Sequence, residues 1–272
     1  MTATRTGRAH LVAGGFPPGQ MAGHDHDYAR LRILEMLRAR DIHTGTANDF
    51  TDVSKWLHVS DLLITYVSGP FMADPEAEYV QNWLKEGGRW LALHGSSGGK
   101  AARIGNGRRA MVKMNHHEVL GGFFISHPPV RKFKVDVVNT DHPLTKGMPA
   151  SFETIDEPYM VEVLDLDSVT VLMTSELGPD PLPGEFGFDY DTDTALLPDG
   201  KTRVIAYTKD VGAGGVTYIT LGHCHTPSTN SQIYVDESVA PGGKTPPTLR
   251  VTWEEPAFEQ FLENAIDWGL GL

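Results

Sequence analysis

The feature that most constrains the fold is an alternation, in the first hundred residues, between apolar runs of strand length and segments of helical spacing. His10-Leu11-Val12-Ala13 leads into Gly14-Gly15-Phe16-Pro17-Pro18, and residues 27–40 then place Leu31, Ile33, Leu34 and Leu37 at helical spacing. Leu62–Val67 is a second apolar run. Asp74-Pro75 follows with proline in a first helical turn, and Tyr79, Val80, Trp83 and Leu84 supply an inner face up to Gly87-Gly88. A third run, Arg89-Trp90-Leu91-Ala92-Leu93, ends at His94 and the small-residue turn Gly95-Ser96-Ser97-Gly98-Gly99. Strands separated by helices pair in parallel, because parallel neighbours need crossover connections, and right-handed crossovers place helices on both faces. The pattern predicts an α/β fold with a mostly parallel central sheet.

The second half is less regular. Residues 133–138, 169–174, 204–207 and 216–221 read as strands, the last two joined as a hairpin through Gly212-Ala213-Gly214-Gly215, and Pro256–Leu270 reads as a closing helix. Residues 178–201 and 226–247 are rich in Pro, Gly, Asp and Ser with little apolar periodicity. Both are expected to be surface loops, and they are candidates to lie over a site.

Length and charge set the bounds. A chain of 272 residues is long enough for a sizeable core, and one domain over residues 1–272 is expected. Its 23 basic against 35 acidic residues, a formal charge of -12, argue against nucleic acid, whose binding depends on clustered Lys and Arg. The single cysteine, Cys224, excludes an internal disulfide. A polar start from Met1 to His10, and the lack of any apolar stretch of about 18 residues, point away from a leader or a membrane span. A soluble cytoplasmic protein is the expectation, and a symmetric homo-oligomer is open.

A buried strand that ends in a glycine-rich turn forces one side chain out at the carboxyl edge of the sheet, where open α/β folds bind ligands. Here that side chain is the imidazole of His94. His24-Asp25-His26-Asp27 follows the first strand on the same edge. In an extended segment His24 would pair with His26, and His223 with His225, whereas a helix would split either pair. His24, His26, His94, His127 and His223 could together supply the imidazoles of a catalytic zinc site, with His24, His94 and His223 as the candidate ligands of a divalent metal such as Zn. No His-Glu-x-x-His or Cys-x-x-Cys motif reinforces that set.

Blander roles compete at each position. His94 could pack under its turn against a backbone carbonyl, and Asp25 and Asp27 could be helix caps. His127 stands before Pro128-Pro129, which would hold the chain extended, yet an exposed loop histidine would look the same. His116-His117 and Asp141-His142-Pro143 have weaker claims, and Cys224 reads as a buried thiol. Gly95-Ser96-Ser97-Gly98-Gly99 formally matches Gly-x-Ser-x-Gly, with Ser97 as nucleophile, His223 as base and Glu157 orienting it. The apolar run ends at Leu93, however, so the elbow falls more naturally at His94, and Ser96 and Ser97 suit capping or ligand hydrogen bonds better.

Taken in order, several segments resemble the ThuA-like, trehalose-utilisation family. They are Gly14-Gly15, His24-Asp25-His26, Leu91-Ala92-Leu93-His94-Gly95, Gly121-Gly122-Phe123 with His127-Pro128, and Asp141-His142-Pro143-Leu144-Thr145-Lys146-Gly147. Asp156-Glu157-Pro158-Tyr159 and Gly212-Ala213-Gly214-Gly215-Val216-Thr217-Tyr218 with Leu221-Gly222-His223 complete the series. The resemblance implies a flavodoxin-like three-layer sandwich similar to class I glutamine amidotransferases, with histidine where those enzymes place cysteine, and hence no thiolate chemistry. It also implies carbohydrate processing, associated with trehalose and related disaccharides. Tyr207 stands where the family often has tryptophan and Gly215 where it often has a basic residue, which bears on the substrate more than on the fold.

The leading expectation is an enzyme acting on a sugar or keto-sugar by histidine-mediated proton transfer, as isomerase, lyase or hydrolase. His94, His127, His223 and Glu157 would be its catalytic residues, with His24, His26, Ser96 and Tyr159 against the substrate; Trp90 and Tyr207 are further candidates to stack on a sugar ring. The competing expectation is a non-catalytic sugar-binding or regulatory module. It predicts histidines that are scattered and individually satisfied by carbonyls, where the enzyme predicts several rings facing one cavity.

Overall fold

The computed structural model describes residues 7–15, 23–105 and 107–272. The expected turn at Phe16-Pro17-Pro18 and the residues before Gly7 lie outside them. In chain order the elements are β1 (Arg8–Gly14), α1 (His26–Ala39), β2 (His43–Ala47), α2 (Val53–Leu57), β3 (Leu62–Val67), α3 (Asp74–Lys85) and β4 (Arg89–Leu93). Next come β5 (Lys100–Arg103), β6 (Arg109–Val112), α4 (Asn115–Leu120), β7 (Gly122–Ser126), β8 (Arg131–Val137), β9 (Ser151–Asp156) and β10 (Met160–Val163). β11 (Val169–Ser175), β12 (Arg203–Val211), β13 (Gly214–Ile219) and α5 (Pro256–Leu270) close the chain.

Nine strands form one sheet in the order β2-β1-β3-β4-β13-β12-β11-β8-β9. The five from β2 to β13 pair in parallel, and every pairing from β13 to β9 is antiparallel. The sheet is therefore mixed rather than mostly parallel. The reason is in the connections: beyond α4 no α-helix intervenes until α5, and a chain without crossover helices returns antiparallel. The β12–β13 hairpin forms as its glycines suggest, with Gly212 at φ 63° in the turn. β7 pairs with β10, and β5 with β6, in two small antiparallel additions.

Both faces of the parallel half are covered. Alternate residues of β1 divide between them: Leu11 and Ala13 join Ile33 and Leu37 of α1 and Phe258, Phe261 and Ile266 of α5, while Val12 joins Val53 and Leu57 of α2 and Val80 and Leu84 of α3. Asp25 caps α1 by accepting from the Tyr28 amide, as expected, and is also held by Arg250 at 3.0 Å. Leu31 departs from its expected core role. It stands 55 % exposed, because the buried stripe of α1 runs through Ala29, Ile33, Met36 and Leu37. Trp90 is core, its indole donating to Thr65 Oγ1, and Tyr207 is equally buried, its hydroxyl donating to the Leu120 carbonyl. Neither is available to stack on a sugar. Among the described residues no helix is long and apolar enough to cross a membrane.

Candidate active site

β4 delivers His94 to the carboxyl edge of the sheet, and His94 itself opens the turn at φ 46°, a conformation that favours glycine. The elbow thus falls at His94. The turn that follows runs close beneath β3: a Cβ on Gly95 would lie 2.2 Å from the Val67 carbonyl oxygen, so only glycine fits. The Tyr218 hydroxyl donates to the His94 carbonyl at 2.9 Å and accepts from Ser97 Oγ at 2.6 Å. Ser96 is buried and bonds Thr65 through both Oγ1 and the carbonyl. Among the described residues neither serine hydroxyl bonds a histidine ring nitrogen, so the serine-nucleophile arrangement does not form, and Ser96 does not line the cleft.

His94 is fully buried rather than exposed, behind Glu157 and Tyr159, which line a cleft of about 730 Å³. His24, His127, Glu157, Tyr159 and Gln232 line that cleft. Around the Glu157 carboxylate the imidazoles converge. His94 Nε2 lies 3.0 Å from Oε2 and 2.9 Å from His24 Nε2, and His24 Nε2 is 3.5 Å from Oε2. On the other carboxylate oxygen, His223 Nδ1 is at 3.3 Å and His127 Nε2 at 3.7 Å, and the Gln232 amide donates to it. The Tyr159 ring stacks on His94 with centroids 4.0 Å apart and continues to His127 at 5.6 Å.

Several elements fix this arrangement. Glu157 follows β9 directly, and the buried Asp156 beside it accepts from the amides of Glu157, Gly222 and His223 and from Thr252 Oγ1. One carboxylate thereby ties the end of β9 to the segment after β13, so that Glu157 and His223 face each other. Burial raises the Asp156 carboxyl above its ordinary range. Burial pushes Glu157 the same way, but the imidazoles of His127, His223 and His24 outweigh it and hold Glu157 well below the usual carboxylate range. Burial also lowers the histidines, His223 to about 4 and His94 in the same direction. Burial thus favours the neutral form of His94 and His223, which face a carboxylate held toward its ionised form.

His26 begins α1 and leaves the cluster: its Nε2 meets Ser68 Oγ at 2.8 Å, and burial lowers its pKa to about 3. Helix formation has split it from His24, so the expected substrate role at His26 has no support in its contacts. His225 stands behind His223, its Nδ1 2.8 Å from His223 Nε2. Cys224 between them is buried, and burial raises its thiol to about 12, consistent with an inert side chain. His116 and His117 lie on the far side of the turn, donating to the carbonyls of Gly98 and of Ser97 and Gly98. The sequence reading missed Asp156 and Gln232. A second carboxylate adjoining Glu157 at a strand end was the available signal for the first; for Gln232, inside an aperiodic loop, there was none.

A family model described as ThuA, trehalose utilisation, matches residues 19–235. No curated protein matches the chain. Among solved structures, a putative ThuA-like protein from Bacteroides uniformis is similar over 99 % of this chain and 93 % of its own, at TM-score 0.63 and 17 % identity. One from Parabacteroides merdae is similar over 97 % and 90 %, at TM-score 0.55 and 14 % identity. The β-galactosidase of Rahnella sp. R3 is similar at TM-score 0.53 and 14 % identity, over 80 % of this chain and only 29 % of its own. At these identities the likeness is one of fold.

Proposed function

We infer from the site's geometry what this chain does as one that belongs to the ThuA, trehalose-utilisation family: it is an enzyme that acts on a sugar or keto-sugar by proton transfer at the cluster around Glu157. One observation carries this proposal. His24, His94, His127 and His223 converge on one buried carboxylate at the floor of one cleft, where a binding module that had merely lost a nucleophile would leave them apart. The family's description supports a carbohydrate role. The positive φ of His94 at a strand end supports the amidotransferase-like ancestry of the turn.

Different residues serve different parts of the chemistry. A hydrogen on the carbon next to a ketone is acidic enough for a neutral imidazole to remove, and the general base must touch substrate. His127 lines the cleft, so the proton passes to it, with Glu157 3.7 Å away to stabilise the imidazolium that forms. His94 and His223, fully buried, hold Glu157 and tune its charge. Tyr159 offers its ring to the apolar face of a sugar and Gln232 its amide side chain to Glu157. Isomerase, lyase and hydrolase outcomes share this first step. The test is exchange of the α-hydrogen of keto-disaccharides with D2O, followed by NMR. Catalysed exchange that falls about 100-fold or more in His127→Ala supports the proposal. A panel that binds without exchange or turnover would move the protein to the binding-module class.

A further inference from the structure

Two hydrogen-bond chains fix where the lone pairs of the cluster point. A backbone carbonyl can only accept, so His94 Nδ1, 2.6 Å from the Thr220 carbonyl oxygen, carries the proton of the neutral ring and Nε2 carries the lone pair. That lone pair faces Glu157 and His24. The second chain begins at the Pro246 carbonyl, which takes the proton of His225 Nε2 at 2.9 Å. His225 Nδ1 is then an acceptor and takes the proton of His223 Nε2, which leaves His223 Nδ1 as a lone pair. This atom is fully buried, has no donor within reach, and is aimed at the Glu157 carboxylate. Two imidazole lone pairs thus face the two oxygens of one carboxylate, which could offer a proton to only one of them. A proton on His24 Nε2 relieves the contact with His94 at 2.9 Å, and reaches Glu157 only at 3.5 Å; it does nothing for His223.

We propose that His24, His94, Glu157 and His223 bind one first-row divalent metal ion, with Zn2+ as the first candidate and the cleft side left for a fifth ligand, a proposal that rests on the function above only for what the ion would do to a substrate. A single cation among these atoms satisfies every lone pair at once. The spacing suits it: ligands at zinc bond lengths of about 2.0–2.1 Å stand about 3.3 Å apart at the edges of a tetrahedron. The four ligand atoms all lie within 4.8 Å of one another: His94 Nε2 and His24 Nε2 are 2.9 Å apart and stand 3.0 and 3.5 Å from Glu157 Oε2, while His223 Nδ1 approaches the other carboxylate oxygen at 3.3 Å. Three imidazoles and one carboxylate are donors that Zn and its first-row neighbours accept. The Thr220 carbonyl and His225 are the outer partners that such histidines need to hold their tautomers. The open direction is toward His127 and Tyr159, where a substrate oxygen would enter.

The test is metal uptake rather than turnover. Full-length protein is stripped with a chelator and titrated with Zn2+ by calorimetry and with Co2+ by visible absorption. The expected result is one ion per chain, with Co2+ bands of a nitrogen-oxygen site and zinc affinity reduced at least 100-fold in Glu157→Gln. His225→Ala, which removes only the outer partner, is expected to weaken zinc about 10- to 100-fold while His223 remains in place. Circular dichroism distinguishes loss of the site from loss of the fold. Absence of Zn2+ and Co2+ uptake by folded wild-type protein would overturn the proposal, as would uptake unchanged in Glu157→Gln. Proton exchange that survives chelation would sink the metal and leave the carbohydrate function standing; a bound metal without exchange would do the reverse.

Discussion

Two groups of histidines flank the same turn, and they have opposite meanings. On the cleft side, His24, His94, His127 and His223 surround one ionised carboxylate, and the rings of His94 and His223 are oriented by partners behind them. On the far side, His116 and His117 also lie buried and in mutual contact, with centroids 4.0 Å apart, but among the described residues they have no carboxylate partner. Each spends a proton on a carbonyl of the turn: His116 on Gly98, His117 on Ser97 and Gly98, while His117 Nδ1 accepts from the Met114 amide. Both groups contain buried imidazoles in mutual contact. Protons end on backbone oxygens in both groups, His94 on Thr220 and His127 on Pro128 as well as the far-side pair; what distinguishes the site from the far-side brace is that the remaining ring nitrogens converge on one carboxylate beside a cavity.

The sharpest way to break the contrast is to remove the charge from one side. Glu157→Gln keeps the shape and deletes the anion that all four cleft-side rings face. Turnover is expected to fall about 10³-fold, the range for loss of an acid-base group, with secondary structure retained. Rates within tenfold of wild type would mean that the convergence is structural, and the two histidine groups would then be of one kind.

The second effect is on stability against pH. Burial lowers His116 to about 3 and lowers His117 as well, from an ordinary value of 6.5. Between pH 6.5 and about 3 the unfolded chain binds a proton at His116 that the folded chain does not. Stability is therefore full above pH 6.5 and declines as pH falls through this window, by at most about 1.4 kcal/mol per pH unit for each such group. Denaturant midpoints between pH 7 and pH 4 should show this decline, and His116→Gln, which keeps a donor for Gly98, should flatten it by up to one proton. An unchanged slope would show that His116 is not held neutral in the folded chain.

How much of this was legible depended on periodicity. β3 and α5 have the bounds that the apolar runs and helical spacing predict, and β4 ends where Leu93 does. β2 went unrecognised because His43-Thr44-Gly45-Thr46-Ala47 is a half-exposed polar edge strand, with no alternation to detect. The parallel first half and the β12–β13 hairpin were readable, but the sheet as a whole was expected to be mostly parallel because the apolar runs at 133–138 and 169–174 do not reveal how their strands pair. In the site, the strand-end position of His94 and the motif containing Glu157 were readable, but their convergence was not. It depends on β13 pairing between β4 and β12, a long-range register that brings His223 across to residues about seventy and one hundred and thirty positions away. His26 shows the converse: two histidines two apart looked like a pair until α1 began between them.

A brace predicts a stability loss without a comparable kinetic one. His117→Ala would strip donors from the Ser97 and Gly98 carbonyls and an acceptor from the Met114 amide, in a buried place where water cannot readily replace them. A loss of about 1–3 kcal/mol is expected, read from urea denaturation, with turnover within about tenfold of wild type below the melting range. A kinetic loss as deep as that of Glu157→Gln would erase the distinction between the two sides of the turn.

Ser97→Ala is expected to have the smallest effect, and it discriminates most directly between the imidazole cluster and a serine nucleophile. The Ser97 hydroxyl is fully buried, donates to Tyr218, and lies on the brace side of the turn rather than in the cleft. Its removal leaves Tyr218 still donating to the His94 carbonyl, so the elbow keeps its anchor. The cost should be about 1 kcal/mol, the worth of one buried neutral hydrogen bond, and turnover should stay within a few-fold of wild type. A nucleophile would behave otherwise: its loss would abolish turnover and covalent labelling by a fluorophosphonate together. With Ser97 silent and Glu157 indispensable, the chemistry lies on the imidazole side of the turn.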